Sequence, residues 1–423
     1  YNIMDEKRIL VVLTMSYPYG KKETYLDNEI RHIEGFERVI IVPCFPVEND
    51  LRNCKIKEII YVKHSKGLFG KSINVLLDRE FWKEIFYIII HKKHKFKCIK
   101  KLIWFTSRCK SVENQIYTSL KSEIKNNFKI YLYSYWMTEP AYLGAKLKKK
   151  LKKSIFVTRC HGYDVYEYRN AIKYIPYRNF IFKNVDKIFT ISKDGENYLK
   201  DKYECLKEKV IVSYLGTEKI IRPSFRMDKK KYLKIVTCSN MVEVKRIDRI
   251  INTLAEIDEY KIEWDHYGDG ELFDELSLLA KNVLGDKNNI TFNFFGRIDN
   301  KDILVKYIEE QYDLFINVSE SEGLPVSIME AMSCGIPAIA TNVGGTSEII
   351  EEGKNGFLLD EKFVVDELKK YISFYFYLDE EMKIEFRMNA YQAWNNNFNA
   401  EKNYKKFFDN LLNIKFSDDK SAD

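Results

Sequence analysis

Residues 312–337 read YDLFINVSESEGLPVSIMEAMSCGIP, and this stretch decides the fold. It opens with an apolar run typical of a buried strand and continues into a polar loop, Ser319 to Gly323. Pro325 then stands near the predicted start of a helix, where proline is tolerated. The helix is predicted to end at Gly335, before a further strand. The order strand, loop, helix, strand is typical of parallel α/β sheets, which bind ligands at the carboxyl ends of their strands.

The loop and the helix start carry the groups that suggest chemistry. Free amides at the start of a helix can bind phosphate oxygens, helped by the helix dipole. Gly323 would let a ligand approach the backbone closely. Glu322 precedes the helix, where its carboxylate could accept hydroxyls of a sugar. Glu330 lies eight positions later, where its carboxylate could accept both hydroxyls of a ribose.

Similar strand and helix patterns alternate along the rest of the chain and predict two Rossmann-like domains. The boundaries are residues 1–215 for the first domain, 216–232 for a linker, 233–395 for the second domain, and 396–423 for a C-terminal helix packing back on the first. Ten strands are predicted: Arg8–Leu13, Arg38–Pro43, Lys129–Ser134, Ser154–Arg159, Lys187–Ile191, Leu233–Cys238, Ile262–Tyr267, Ile290–Phe295, Leu314–Val318 and Ala338–Thr341. A helix from about Glu23 to Glu34 should follow the first strand.

The segment from Glu322 to Glu330, with the Val-Gly-Gly-Thr-Ser-Glu turn at 343–348, closely resembles the signature of retaining glycosyltransferases of family 4. The resemblance implies an α/β fold of the GT-B type, two facing Rossmann-like domains with parallel sheets and a C-terminal helical tail. It also implies transfer of a hexose-type sugar from a nucleoside-diphosphate sugar (UDP or GDP) to a glycan or lipid-linked acceptor. Surface polysaccharide, lipopolysaccharide or glycolipid assembly is the expected context.

The resemblance assigns roles in the second half of the chain. By it Glu330 binds the ribose, Glu322 binds the transferred sugar, and Lys245 with the amides of Gly323 and Leu324 holds the pyrophosphate. The remaining residues expected to bind donor on this side are Arg246, Gly268, Gly296, Arg297 and Pro325. Many members of the family have Gly-Arg where this chain has Ser239-Asn240, so Arg246 is the candidate replacement for a missing phosphate-binding arginine.

In the first half, residues 16–25 (SYPYGKKETY) resemble the glycine loop that faces the donor, with Gly20 as its glycine. Residues 159–164 (RCHGYD) resemble a strand end near the sugar, with His161 expected to act in catalysis and Asp164 in donor binding. No cofactor is expected beyond the donor. The chain has no Asp-x-Asp pair, so a metal-independent, front-face reaction is expected, in which Glu322 is not a nucleophile.

Charge is unevenly distributed along the first domain. Residues 91–153 contain 17 Lys or Arg against 3 acids, within a chain of net charge +7. The runs at 91–101 and 146–153 are the densest, and aromatic and aliphatic residues flank the first. One interpretation is an anionic membrane surface bound through 81–110 and 146–153. The other is a solvated helix face over an ordinary core. No nucleic-acid-binding motif accompanies the basic residues, and no nucleic-acid partner is expected.

Composition limits the class of protein. The 423 residues are 45% hydrophobic and 14% aromatic, which excludes a disordered chain. Eight scattered cysteines without a Cys-x-x-Cys pair favour a reducing compartment. No signal-peptide layout is found, and Met4 is the expected start, so a cytoplasmic enzyme is expected, with peripheral membrane contact open. The alternatives are a GT-B relative with epimerase or phosphorylase chemistry and a non-enzymatic glycan-binding scaffold.

Overall fold

The structure is a computed structural model. It describes residues 7–20, 23, 25–47, 50–52, 54, 56, 58–63, 75–121, 123, 128–151, 153–219, 225 and 232–416. Most of the predicted linker, and positions 21, 22 and 24 of the glycine loop, lie outside these residues. The chain divides into two compact units, Tyr1–Ser213 with Tyr404–Asp423, and Tyr214–Asn403.

The first unit is built on a six-stranded parallel sheet in the order β2-β1-β3-β4-β5-β6. Its strands are β1 Arg8–Thr14, β2 Arg38–Pro43, β3 Lys129–Ser134, β4 Ser154–Cys160, β5 Lys187–Thr190 and β6 Val210–Val212. Its helices are α1 Tyr25–Arg31, α2 Arg79–His91, α3 Lys95–Ser119, α4 Glu139–Lys150, α5 Gly162–Val165, α6 Arg178–Asn184 and α7 Lys193–Lys202. The central strands are buried along almost their whole length, as expected when helices cover both faces of a parallel sheet.

The second unit has another six-stranded parallel sheet, in the order β12-β11-β10-β7-β8-β9. Its strands are β7 Tyr232–Cys238, β8 Lys261–Tyr267, β9 Ile290–Phe294, β10 Leu314–Asn317, β11 Ala338–Thr341 and β12 Gly356–Leu359. Its helices are α8 Ile247–Ala255, α9 Phe273–Leu284, α10 Asn300–Glu310, α11 Val326–Ser333, α12 Val365–Tyr377 and α13 Glu380–Asn397. The last helix, α14 Ala400–Leu412, starts here and carries the chain into the first unit.

The aromatic side of α14 packs on the first sheet. Phe407 contacts Tyr133 of β3 and Phe189 of β5, with ring centroids 5.1 and 4.7 Å apart. Helix α14 therefore contributes to the first unit's core.

The predicted α/β fold with two parallel sheets is confirmed, and three local differences have physical reasons. The short strands β6 and β12 were not predicted, because three or four residues give too little periodicity. Helix α1 starts at Tyr25 rather than Glu23, because Glu23 has a positive φ of 57° that a helix cannot continue. Within the described residues, no helix is both long and apolar enough to cross a bilayer.

Candidate functional site

The order of the second sheet places its ligand-binding edge between β7 and β10. From β7 the chain adds β8 and β9 on one side, and then β10 to β12 on the other. In such a sheet the loops leaving the two strands at the reversal diverge and open a crevice at their carboxyl ends. The loop after β7 carries Lys245 and the loop after β10 carries Glu322, so these two predicted residues flank this crevice.

Lys245 and Glu322 lie in direct contact. The Lys245 Nζ is 2.6 Å from Glu322 Oε1, and the Asn317 side-chain amide donates to the same oxygen at 3.2 Å. Both charged side chains are mostly buried. Residues 77 positions apart in the sequence thus form one ion pair, whose ammonium group an incoming anion could share.

The main chain fixes the two loops against each other. The Glu320 amide donates to the Val244 carbonyl at 2.9 Å, and the Gly345 amide donates to the Gly323 carbonyl at 2.8 Å. Gly344 has a φ of +56°, and a side chain there would place its Cβ 2.1 Å from the Glu322 carbonyl oxygen. The turn at 343–345 therefore supports the loop that carries Glu322, and only glycine fits at its closest point.

Arg246 follows Lys245 but is held by other groups. Its guanidinium pairs with Asp248, at 2.9 Å, and with Glu320. Its backbone is left-handed, with a φ of 51°, and its neighbours raise the pKa of its side chain. A donor phosphate that bound Arg246 would therefore have to compete with two carboxylates.

Two predicted glycines meet on the neighbouring strands. The Gly268 amide donates to the Gly296 carbonyl at 2.8 Å, at the ends of β8 and β9. Gly268 has a φ of +147°, and a Cβ there would lie 1.8 Å from the Ser239 carbonyl oxygen. The loops expected to line a base pocket are therefore packed backbone to backbone beside β7, and Arg297 next to them is exposed.

Glu330 projects from α11, the helix that begins after the Glu322 loop. Its carboxyl is buried, with 7% of the residue exposed, and desolvation raises its pKa to about 8. Gly323, Leu324 and Pro325 lie between Glu322 and the helix, and Pro325 occupies the N-cap position without a side-chain capping hydrogen bond. Burial, with a smaller contribution from the Glu330 carboxyl, raises the pKa of Cys238 to about 12. Cys238 gave no signal in the sequence.

Gly20, His161 and Asp164 lie in the first unit, whereas the other ten predicted site residues lie in the second. Gly20 has a φ of 66°; its amide donates to the Asp50 carbonyl at 3.0 Å and its own carbonyl accepts from Arg52. The glycine is therefore needed for a turn that is tied to residues 50–52.

His161 and Asp164 form a tight turn after β4. The Asp164 carboxylate accepts the amides of His161 and Met137, the second at 2.7 Å, and burial raises its pKa to about 7. The His161 ring lies against Tyr135 and Trp136, with centroids 4.8 and 4.4 Å away. Burial, with a smaller contribution from Arg159, lowers the pKa of His161 to about 3, so its imidazole is neutral at ordinary pH.

Two carboxylates of the first unit were missed in the sequence. Glu23 accepts the consecutive amides of Met15, Ser16 and Tyr17 at 3.0, 2.8 and 2.7 Å, and the Trp136 indole at 2.7 Å.

Glu29 is the second of these carboxylates. It lies 3.2 Å from Arg159 and accepts the Tyr133 hydroxyl at 2.6 Å, entirely inside the core. Its only sequence signal was a charge on the apolar face of α1.

The family comparison agrees with this geometry. Residues 218–393 match the family model described as glycosyl transferases group 1. An uncharacterised glycosyltransferase of Methanocaldococcus jannaschii is 31% identical over 243 residues, which are 57% of this chain and 64% of the relative. An O-antigen biosynthesis glycosyltransferase of Escherichia coli is 28% identical over 41% of this chain and 46% of its own length. The chain thus spans less than two thirds of either relative.

Among crystal structures, Anabaena HepE in complex with UDP and glucose superposes with a TM-score of 0.67, covering 97% of this chain and 100% of that one at 16% identity. At that identity the likeness establishes the fold and nothing finer. The family match thus falls on the unit that carries the Lys245–Glu322 pair, and the likeness to solved structures shows that the chain has the GT-B fold.

Proposed function

We propose that this chain is a retaining, metal-independent glycosyltransferase that moves a hexose-type sugar from a nucleoside-diphosphate sugar to a glycan or lipid-linked acceptor. The observation that carries the proposal is the 2.6 Å contact between Lys245 and Glu322 where the second sheet reverses its strand order. An ammonium group beside a carboxylate suits a ligand with a phosphate next to sugar hydroxyls.

The chemistry follows from where charge develops in the reaction. Breaking the bond between sugar and diphosphate puts negative charge on the leaving phosphate oxygens. Lys245 and the amides at the start of α11 are fixed positive groups that stabilise such charge. Their presence supports a reaction without a divalent cation, as does the lack of an Asp-x-Asp pair. In the front-face course that we propose, the leaving phosphate oxygen takes the acceptor proton.

The two glutamates divide the recognition of the donor in this proposal. Glu322 would accept hydroxyls of the transferred sugar, and Glu330 would accept the ribose hydroxyls. A carboxyl with a pKa of about 8 is largely protonated at neutral pH, so Glu330 can donate one hydrogen bond and accept another.

In the first unit, we propose that His161 contacts the sugar as a neutral hydrogen-bonding group. Its low pKa argues against a charged imidazolium. Asp164 holds the turn that presents His161, and Gly20 shapes the loop expected to face the donor. These three roles rest on the resemblance of their segments to the family.

The donor class and pathway are proposed by analogy with relatives. The HepE structure contains UDP, which favours UDP over GDP as the donor base. The E. coli relative is named for O-antigen biosynthesis, which supports a role in surface polysaccharide or lipopolysaccharide assembly.

The test is donor selection with the purified chain. Thermal shift and acceptor-free hydrolysis are measured with UDP-, GDP-, ADP- and CMP-sugars, with and without EDTA. We expect stabilisation by one nucleotide class, unaffected by EDTA and lost in Glu330→Ala. Glu275→Ala, an exposed glutamate of the same unit, is the matched control.

Three other outcomes would contradict the proposal. Donor conversion without an acceptor, to an isomeric nucleotide sugar, would indicate an epimerase. A requirement for inorganic phosphate would indicate a phosphorylase. Binding of glycans with no response to any donor would indicate a non-enzymatic scaffold.

A further inference from the structure

Helices α2 and α3 of the first unit expose two apolar stripes. On α2 the exposed apolar side chains are Trp82, Phe86, Ile89 and Ile90, spaced so that they share one face of the helix. The opposite face packs into the core through Phe81 and Ile88. An amphipathic helix normally has polar residues on its outer face, so this arrangement leaves a second apolar face open to solvent.

Helix α3 repeats the pattern directly after the turn at 92–94. Phe96, Ile103 and Trp104 are exposed at the same spacing, and Lys100 lies between them on that face. Phe96 is 81% exposed and Phe86 is 66% exposed, and no ring contact is found for either in the described part of the chain. Leu76 and Leu77, just before α2, are also exposed, and the Trp82 indole donates to the Leu76 carbonyl at 2.8 Å. The apolar surface therefore extends over residues 76–104.

The cations beside this surface are available to a partner. Lys93, Lys95, Lys97 and Lys100 are exposed, and none of them forms an ion pair with another described residue. No acidic residue occurs between Glu84 and Glu113. Glu84 is itself buried, where it accepts hydrogen bonds from Tyr174 and Tyr177. Lys92 pairs with Glu167 at 3.5 Å, but no described acid pairs with Lys93 or with the lysines at 95, 97 and 100 of α3.

The second basic run behaves differently. The ammonium groups of its lysines pair with acids of the same unit: Lys146 with Asp78 at 2.6 Å, Lys148 with Asp186 at 2.8 Å, Lys149 with Glu80 at 3.5 Å and Lys150 with Glu113 at 2.7 Å. The membrane interpretation of the sequence included residues 146–153, and position 152 lies outside the described residues. These four pairs indicate that α4 contributes little free charge.

We propose that the outer face of residues 76–104 docks on an anionic lipid bilayer. Phe, Trp and Ile side chains would enter the headgroup boundary, and the four free lysines would contact the lipid phosphates. This proposal does not depend on the transferase proposal, because it concerns a surface of the first unit and its test does not measure sugar transfer.

Charge complementarity favours an anionic bilayer over the two other partners that this surface could bind, a second copy of the chain and a nucleic acid. A second copy of the chain docked through the same face would bring two sets of free lysines together, which is repulsive. A nucleic acid would satisfy the lysines but would leave the aliphatic stripe of α2 without a partner. An anionic bilayer offers phosphates and acyl chains at neighbouring depths, and so matches both parts of the surface.

The experiment is flotation of the full chain with two kinds of vesicle, one containing phosphatidylglycerol and one of phosphatidylcholine alone. Wild type is compared with Phe86→Ser/Phe96→Ser and with a quadruple Lys→Gln variant at 93, 95, 97 and 100. The matched controls are Leu278→Ser/Val364→Ser and a quadruple Lys→Gln variant at 281, 362, 405 and 406, all exposed positions outside the surface. Circular dichroism and thermal melting verify that each variant is folded.

We expect wild type and both controls to float with the anionic vesicles, and much less with the neutral ones. Each lysine removed should lower the partition constant roughly fivefold at low ionic strength. Binding should fall steeply at about 0.5 M salt.

Three results would overturn the proposal: no flotation of wild type, equal flotation of the surface variants and their controls, or a dimer by light scattering that the Phe86→Ser/Phe96→Ser variant dissociates. Salt-sensitive DNA retention without flotation would equally overturn it in favour of a nucleic-acid partner.

Discussion

The two units use similar sheets but hold the carboxylate at the strand reversal in opposite ways. In the first unit, Glu23 lies where β1 and β3 diverge and is bound by three backbone amides and an indole. In the second, Glu322 lies where β7 and β10 diverge and is bound by the Lys245 side chain. Backbone amides cannot release the carboxylate without refolding the loop, whereas the Lys245 ammonium group can exchange its carboxylate partner for a ligand anion. The main chain therefore holds the carboxylate at the strand reversal of the first sheet. At the reversal of the second sheet, a ligand can take the place of the carboxylate on Lys245.

Breaking the buried ion pair between Arg159 and Glu29 in the first unit should have the largest effect on stability. Arg159→Met leaves the Glu29 carboxyl without its cation in a core where both residues are 0–1% exposed. Removing one partner of such a pair costs about 3–5 kcal/mol. Urea unfolding measures it, and the double variant Arg159→Met/Glu29→Leu should recover most of the loss. A loss below about 1 kcal/mol would contradict the picture of a dry, paired charge.

The next effect concerns catalysis in the second unit. Lys245→Ala should lower donor turnover by roughly 10²–10³-fold, about 3–4 kcal/mol, because it removes a fixed positive group from the leaving diphosphate. Initial rates at saturating donor measure it. Lys281→Ala, an exposed lysine of the same unit, should leave turnover unchanged. Equal rates for Lys245→Ala and wild type would remove Lys245 from the reaction.

The pH dependence of the free energy of unfolding tests whether Glu330 is protonated in the folded state. Its folded pKa of about 8 lies above its ordinary value of 4.5, so the folded state binds the extra proton. The contribution is therefore fully present below about pH 4.5 and is lost as the pH rises through about 8. Between pH 6 and pH 8, the free energy of unfolding of wild type should fall by roughly 2 kcal/mol relative to Glu330→Gln. Parallel curves for the two proteins would show that the carboxyl is not desolvated.

The smallest effect on stability is expected for Glu23, at the strand reversal of the first sheet. Glu23→Ala removes the acceptor of three amides on a loop that water can partly reach, so it should cost about 1–2 kcal/mol. Glu23→Gln keeps one acceptor oxygen and should cost less. Differential scanning calorimetry of the two variants measures this order, and an Ala variant as stable as the Gln variant would contradict it.

Strand positions could be predicted well because a buried parallel strand is a run of apolar residues that any reader of the sequence can locate. The segment from Glu322 to Glu330 could be predicted for a similar reason, since its chemistry is local to one strand, one loop and one helix. Glu23 and Glu29 could not, because their partners lie as far away as Trp136 and Arg159, and neither partner carries a local signal.

The sequence by itself determined the two parallel sheets and the strand, loop and helix that carry Glu322 and Glu330, because these depend on short-range patterns of polarity and turn chemistry. Only the tertiary structure decided which charges are free. The lysine runs at 91–101 and 146–153 look alike in the sequence, yet acids brought from Asp78 and Asp186 pair with the second and leave much of the first exposed. Coulomb attraction acts over a few ångströms of space, and the chain sets those distances only when it folds.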